Sequence, residues 1–308
     1  MLLWWLAEAD PPAAPPVPRF LYEVRTLRTP SPLMVRISGG TVVVGSTEAE
    51  VIVAAGSCAG EPLAHRCTER TFADEYPRRV RTIGDFWLDR TEVSVAEYNR
   101  CVAAGRCEPP HYELAAARFE HPDYPVSFVT WADARAYCGF RGARLPTEIE
   151  FERAARGPAG RTYPWGNIYN ARVANHGRFA VLEQDESDGF AELAPVGSFV
   201  SGATPEGVLD LAGNVAEWQA DVYRERYDAS PPEDFDAPRV TRGGGFLSGA
   251  AWLRGAARDY AHPAARRMDL GFRCARSAGP MADPQKTGLA QVAPLPQTLA
   301  LSATTAAP

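Results

Sequence analysis

The stretch PVSFVTWADARAYCGFRGARLPTEIEFERAARG, residues 125–157, decides how the chain folds. Two helix starts lie inside it. Thr130 is followed three residues later by Asp133, and Thr147 by Glu150. At that spacing a hydroxyl and an acidic side chain cap each other's backbone N–H groups. The first start predicts a helix over 131–140 that ends before Gly142. The second predicts a helix from 147 to about Arg156, with Gly157 as its stop. Upstream, GDFWLDRTEVS (84–94) begins as a strand and meets a third start, Ser94 with Glu97, whose helix runs to about Ala104 and stops at Gly105. TVVVGS (41–46) reads as a strand ending at Gly45. The C-terminal half offers only short apolar pieces between turn signals. It is therefore expected to be mostly irregular, with short strands. Together these elements predict an α+β fold in one compact domain with little regular secondary structure. Such a fold needs extra staples, because loop backbone has no ladder of its own to satisfy it.

Composition supports a folded core. The chain has 308 residues, 45% apolar and 23% charged, close to globular averages. A net charge of −6 argues against a general nucleic-acid binder, which would show a basic face. No run approaches ~18 apolar residues, so no membrane span is expected. Residues 1–32 read as an N-terminal arm. A short apolar run, Leu2 to Leu6, and an A-x-A-like site at Ala7-Glu8-Ala9 suggest a remnant signal, although a basic n-region is missing; a Pro/Ala-rich linker follows. The domain proper spans 33–276. Residues 277–308 carry no apolar period and are expected to be disordered.

The six cysteines are Cys58, Cys67, Cys101, Cys107, Cys138 and Cys274. No CxxC and no zinc-finger spacing occurs, so a structural zinc site is not expected. An even count with two close pairs suggests disulfides and an oxidising compartment, periplasmic or extracellular. The alternative is six reduced thiols in a cytoplasmic protein. Cys101 and Cys107 flank a helix end, and Cys58 and Cys67 enclose a Gly/Pro-containing loop, so each pair can bridge over a short range.

Six stretches resemble the formylglycine-generating enzyme family, also called the sulfatase-modifying factor domain. They are SGGTVVVGS (38–46), TEVSVAEYNRCVAAGRC (91–107), residues 125–157, YPWGN (163–167), GVLDLAGNVAEW (207–218) and RGGGFLSGAAWLRGAARDYAHPAARRMDLGFRCAR (242–276). The resemblance implies that family's compact fold, related to C-type lectin-like domains, and a disulfide between Cys138 and Cys274. It also implies an activity: oxidation of a sulfatase cysteine to formylglycine with O2 and a copper ion held by two cysteines. In this chain Ser248 stands where the first of those cysteines is expected. The second falls within 250–253, AAWL, which holds none. Gly245 replaces the motif's serine, and Ala216 replaces the tryptophan usual before Glu217. A serine hydroxyl cannot hold Cu(I) as a thiolate does, so copper is not expected.

The same resemblance implies two structural calcium sites. One set comprises Asn175, the carbonyl of His176, Asp188 and the carbonyl of Phe190. The other comprises Asp210, the carbonyls of Gly213 and Val215, and Glu217. Calcium takes six to eight hard oxygen ligands of this mixed kind. Ordinary turn chemistry also favours Asp, Asn and Gly. The five histidines show neither HxH nor HExxH spacing, and the GGG at 243–245 precedes no GK[ST]. Ser248 has no evident His/Asp partner. The tryptophans Trp87, Trp131, Trp165, Trp218 and Trp252 are expected in the core. Arg144, Arg242, Arg254, Arg258 and Arg273 are expected to pair with Glu148, Glu150 or Glu217.

The expected function is therefore a family scaffold without the copper-binding cysteine pair: a non-catalytic or diverged module that binds a peptide or protein partner in the family's substrate groove. The alternative is an oxidoreductase with another metal or substrate, or formylglycine formation by a non-standard site.

Overall fold

The same capping device starts each of the four α-helices described in the computed structural model. These are α1 (Glu48–Ala59), α2 (Val95–Ala103), α3 (Trp131–Phe140) and α4 (Glu148–Arg156). Their N-caps Thr47, Ser94, Thr130 and Thr147 each accept from the backbone N–H three residues on, and each carboxylate there returns the bond. The three starts read in the sequence are all present. The fourth, Thr47 with Glu50, carries the same spacing and was passed over. Gly105, Gly142 and Gly157, with φ of 65°, 66° and 64°, follow α2, α3 and α4. At these values a Cβ is disfavoured, which is why the helices end there.

The structure describes residues 34–60, 67–68, 70–112, 117–178, 185–227, 229 and 236–278. The expectations for residues 1–32 and for most of the tail lie outside these.

Three short sheets surround the helices. Strand β1 (Met34–Ile37) pairs antiparallel with β4 (Phe86–Asp89), which also pairs with β9 (Ala275–Ser277). Strands β2 (Gly40–Val44) and β3 (Arg79–Ile83) form an antiparallel pair. The third sheet has order β7-β6-β5-β8, from β5 (Ala216–Val222), β6 (Arg239–Arg242), β7 (Asp259–Ala261) and β8 (Leu270–Gly271). Loops supply the rest, as the weak periodicity of the C-terminal half implied.

The main core gathers Tyr98, Tyr137, Trp218 and Phe272 around the Cys138–Cys274 bridge. Cys58 bonds to Cys67 and Cys101 to Cys107, so all six cysteines are in disulfides. Of the five tryptophans expected inside, only Trp218 is fully buried; Trp87, Trp131, Trp165 and Trp252 keep partial exposure. An amphipathic indole packs its body inward while its edge stays wet. Trp131 lies under the Arg239 guanidinium, 4.0 Å from ring centroid to carbon, and donates to the Gln219 carbonyl.

Arginine forks staple the loops. Arg258 binds Glu148 at 2.6 and 3.1 Å, and Arg273 binds Glu217 at 2.7 Å. Two partners differ from the expected ones. Arg254 pairs with Glu75, and Arg242 pairs most closely with Glu152, lying 3.6 Å from Glu148. Arg144 pairs with Glu150 near the surface. A guanidinium presents five donors in a fixed fork, so one side chain can satisfy several loop carbonyls as well as a carboxylate.

Candidate functional site

The loop that follows β6 bends through Gly243 and Gly244, with φ of 92° and 64°. Ser248 closes this bend. Its N–H donates to the Gly245 carbonyl at 2.8 Å, and its Oγ accepts the Gly245 N–H at 3.0 Å. The Ser248 carbonyl in turn accepts from Gly177 N–H at 3.0 Å. The hydroxyl is thus a turn-closing group first. No histidine borders the cavity beside it, whose walls include Thr241, Arg258 and Asp259. A serine nucleophile would need such a base.

That cavity holds about 150 Å³. Small residues, Ala216, Gly243 and Gly244, leave the space, and Trp252 forms part of the wall. Two of its polar residues, Thr241 and Asp259, face each other across β6 and β7. The sequence reading missed both, because their meeting depends on strand register. Thr241 is fully buried and its Oγ1 has no hydrogen-bond partner. Burial and the nearby Asp269 push the Asp259 carboxyl above its ordinary range, while Arg267 pulls the other way.

Asn175 of the first expected cation set meets Asn214, which lies between Gly213 and Val215 of the second. Asn214 Oδ1 accepts from Asn175 Nδ2 at 3.0 Å and from Ala194 N–H at 3.0 Å, and the Asn175 carbonyl accepts Asn214 N–H at 2.8 Å. In the first set, Asp188 accepts from the N–H groups of His176 (2.7 Å) and Phe190 (2.9 Å). Asn175 Oδ1 is buried without a hydrogen-bond partner. In the second set, Asp210 accepts from Gly197 N–H at 2.6 Å, and Glu217 is gripped by Arg273.

A residue the sequence reading overlooked joins this second set. Glu92 is fully buried with its carboxyl against that of Asp210. Burial and the neighbouring Asp210 and Glu217 hold its carboxyl well above the usual range, against Arg273. Three carboxylates, Glu92, Asp210 and Glu217, thus share one guanidinium. Asp210 and Asn214 sit at φ of 54° and 62°, backbone that non-glycine residues adopt only when the surroundings hold them there. Three buried carboxyl groups beside one guanidinium, and an orphaned amide oxygen, are what a hard divalent ion would satisfy. No group of three or more His, Cys, Asp or Glu side chains arranged for metal is found among the described residues, so carbonyls would have to complete either set.

A loop-built α+β frame, tied by disulfides and arginine forks and opening on a small glycine-walled cavity, defines a class of scaffold in which short strands and the loops between them, rather than helices, carry the site. Within that class, the chain belongs to the family of the sulfatase-modifying factor enzyme 1-like domain, whose sequence profile matches residues 23–278. It is 40% identical over 171 residues to the inactive C-alpha-formylglycine-generating enzyme 2 of Bos taurus, covering 52% of each chain. It is also 40% identical over 178 residues to the formylglycine-generating enzyme of Streptomyces coelicolor, covering 51% of this chain and 54% of that one. The chain thus matches about half the length of these curated relatives. Among solved structures, PvdO from Pseudomonas aeruginosa aligns with a TM-score of 0.61 at 25% identity, over 79% of this chain and 94% of that one.

Proposed function

We propose that this protein is a non-catalytic or diverged member of its family, which binds a peptide or protein partner in the groove around Ser248. The observation that carries this reading is the pairing of all six cysteines in bridges, including Cys58–Cys67, which packs beside Ala251 and Trp252 of that loop. No free thiol is left to hold Cu(I). Similarity to a relative named as inactive supports it, and three disulfides favour an oxidising compartment. Two structural calcium ions belong to the same reading. One would be held by Asn175, His176, Asp188 and Phe190, the other by Asp210, Gly213, Val215 and Glu217, with Glu92 adding charge beside the second. When bound they would neutralise carboxylates and fix the loops that frame the groove.

The test uses a fluorescent peptide bearing a CxPxR motif. Saturable anisotropy without aldehyde formation, in the presence of copper and O2, is the expected result. Appearance of an aldehyde would overturn the reading, and absence of any binding would remove the peptide groove.

A further inference from the structure

The cavity beside Ser248 has a composition that selects among ligands. Its three wall arginines are already engaged. Arg242 pairs with Glu152, Arg258 with Glu148, and Arg267 with Asp269 at 2.6 and 2.8 Å. Arg242 keeps one donor, Nε, buried and unpartnered, but Asp259 at the wall opposes an anion. A cation would find Asp259 as the one carboxylate in the wall, since Glu148, Glu152 and Asp269 are taken up by the guanidinium groups. A neutral group meets neither penalty, since charges moved into a partly desolvated site are costly unless paired.

The polar atoms there call for a partner that both donates and accepts. Thr241 Oγ1 lies buried and unpartnered. Such an orphan in a folded protein calls for an explanation, and a ligand group is one. Among the described residues, Asp259 Oδ1 accepts the neighbouring Tyr260 N–H, at 2.8 Å, and no other hydrogen bond. Ser248 Oγ accepts from Gly245, which leaves its own proton to donate. A hydroxyl can accept from one of these groups while donating to another, as a thioether or hydrocarbon cannot. The space, about 150 Å³, suits a short side chain. We infer that this cavity receives a neutral, hydroxyl-bearing side chain of the bound peptide, held by Thr241, Ser248 and Asp259. The inference rests on the peptide-binding reading above and specifies what that groove recognises.

The test uses three probes of one size, n-propanol, propylammonium and propionate, titrated into the full chain while the backbone amide resonances of Thr241, Gly243 and Gly244 are followed. Propanol is expected to give saturable shifts, with ~5-fold weaker binding for each charged isostere, the effect of about one neutral hydrogen bond. Thr241→Val keeps the shape and removes the hydroxyl. It should weaken propanol binding ~5-fold and, since it removes a buried hydroxyl with no partner within the protein, leave the thermal midpoint unchanged or raised. Ala216→Trp should fill the cavity and abolish the shifts. Equal response to all three probes, no response to any, or propanol binding indifferent to both substitutions would overturn the inference. The CxPxR anisotropy assay separates the two claims. Peptide binding that survives with no propanol preference sinks the pocket and spares the groove. Propanol selectivity without any peptide binding keeps the hydroxyl site and sinks its assignment to a peptide.

Discussion

Arg273 holds Glu217 in the fully buried interior, with Nε 2.9 and 2.7 Å from the two carboxylate oxygens and Nη2 2.7 Å from one of them. The same guanidinium donates to the carbonyls of Asp89, Arg90, Leu209 and Asp210. One side chain thus joins β4, the 209–210 loop and β5.

Replacing Arg273 with Met should therefore cost about 3–5 kcal/mol, the penalty for leaving a buried charge without its partner. Urea denaturation measures it. Arg273→Met combined with Glu217→Gln should recover part of the loss, because the stranded charge is gone. A double variant no more stable than the single one would contradict this account.

The Cys138–Cys274 bridge closes a separation of 136 residues. In the chain-entropy picture such a crosslink restricts the unfolded chain by about 5 kcal/mol. The Cys138→Ala/Cys274→Ala double variant should lose stability on that order. The loss should exceed that from removing Cys101 and Cys107, which close a separation of only 6.

Asp74 ties a pH dependence to one residue. Burial raises its carboxyl to about 6, with Glu75 adding to the rise and Arg258 opposing it. Tyr223 donates to one oxygen at 3.0 Å, while the other is buried without a partner. A folded-state value above the unfolded 3.8 means that stability is fully present below about pH 4 and is lost as pH rises through 6, about 3 kcal/mol in all. Asp74→Asn should flatten this segment of a stability–pH curve.

Glu152 slopes the other way. Burial opposes its ionisation, but Arg242, Arg156 and the Tyr227 hydroxyl outweigh that and hold its carboxyl below the ordinary value of 4.5. Its contribution is present above 4.5 and falls away as pH drops through the lowered folded value. Glu152→Gln should be destabilising at pH 7 and nearly neutral at the acid end, as read by denaturant titration at both pH values.

Ser248→Cys tests whether a single thiol restores metal chemistry. Without a second thiol in 250–253, the variant should compete for Cu(I) no better than the unmodified chain, as measured against a chromogenic chelator. Tight Cu(I) capture would show that another ligand completes the site.

If calcium binds as proposed, chelation with EGTA should lower the thermal midpoint, and saturation at about 100 times Kd should restore about 2.7 kcal/mol. Asn175→Ala should reduce that calcium-dependent increment. A midpoint indifferent to both chelator and calcium would remove the ions from the account.

Helix boundaries were legible because their signals are local. Ser94 with Glu97, Thr130 with Asp133 and Thr147 with Glu150 place both capping partners within one turn, and Gly105, Gly142 and Gly157 mark the ends. Helix α1 carries the same signal in Thr47 and Glu50, but the strand at 41–46 runs directly into it and masks its start. The partners of Arg242 and Arg254 were not readable. Glu152 lies 90 residues away and Glu75 179, and several acidic residues offer equal charge along the chain.

Sequence alone determined where α2, α3 and α4 start and stop, that regular structure is sparse, and that no cysteine occupies residues 248–253. These are properties of residue type and of spacings within a turn. Tertiary structure alone decided that Thr241 faces Asp259 across two strands, that Glu92 joins Asp210 and Glu217 around one guanidinium, and that the space beside Ala216 stays open. Each of these depends on strand register and loop closure, which bring together groups far apart in the chain, and no periodicity along the sequence encodes that distance.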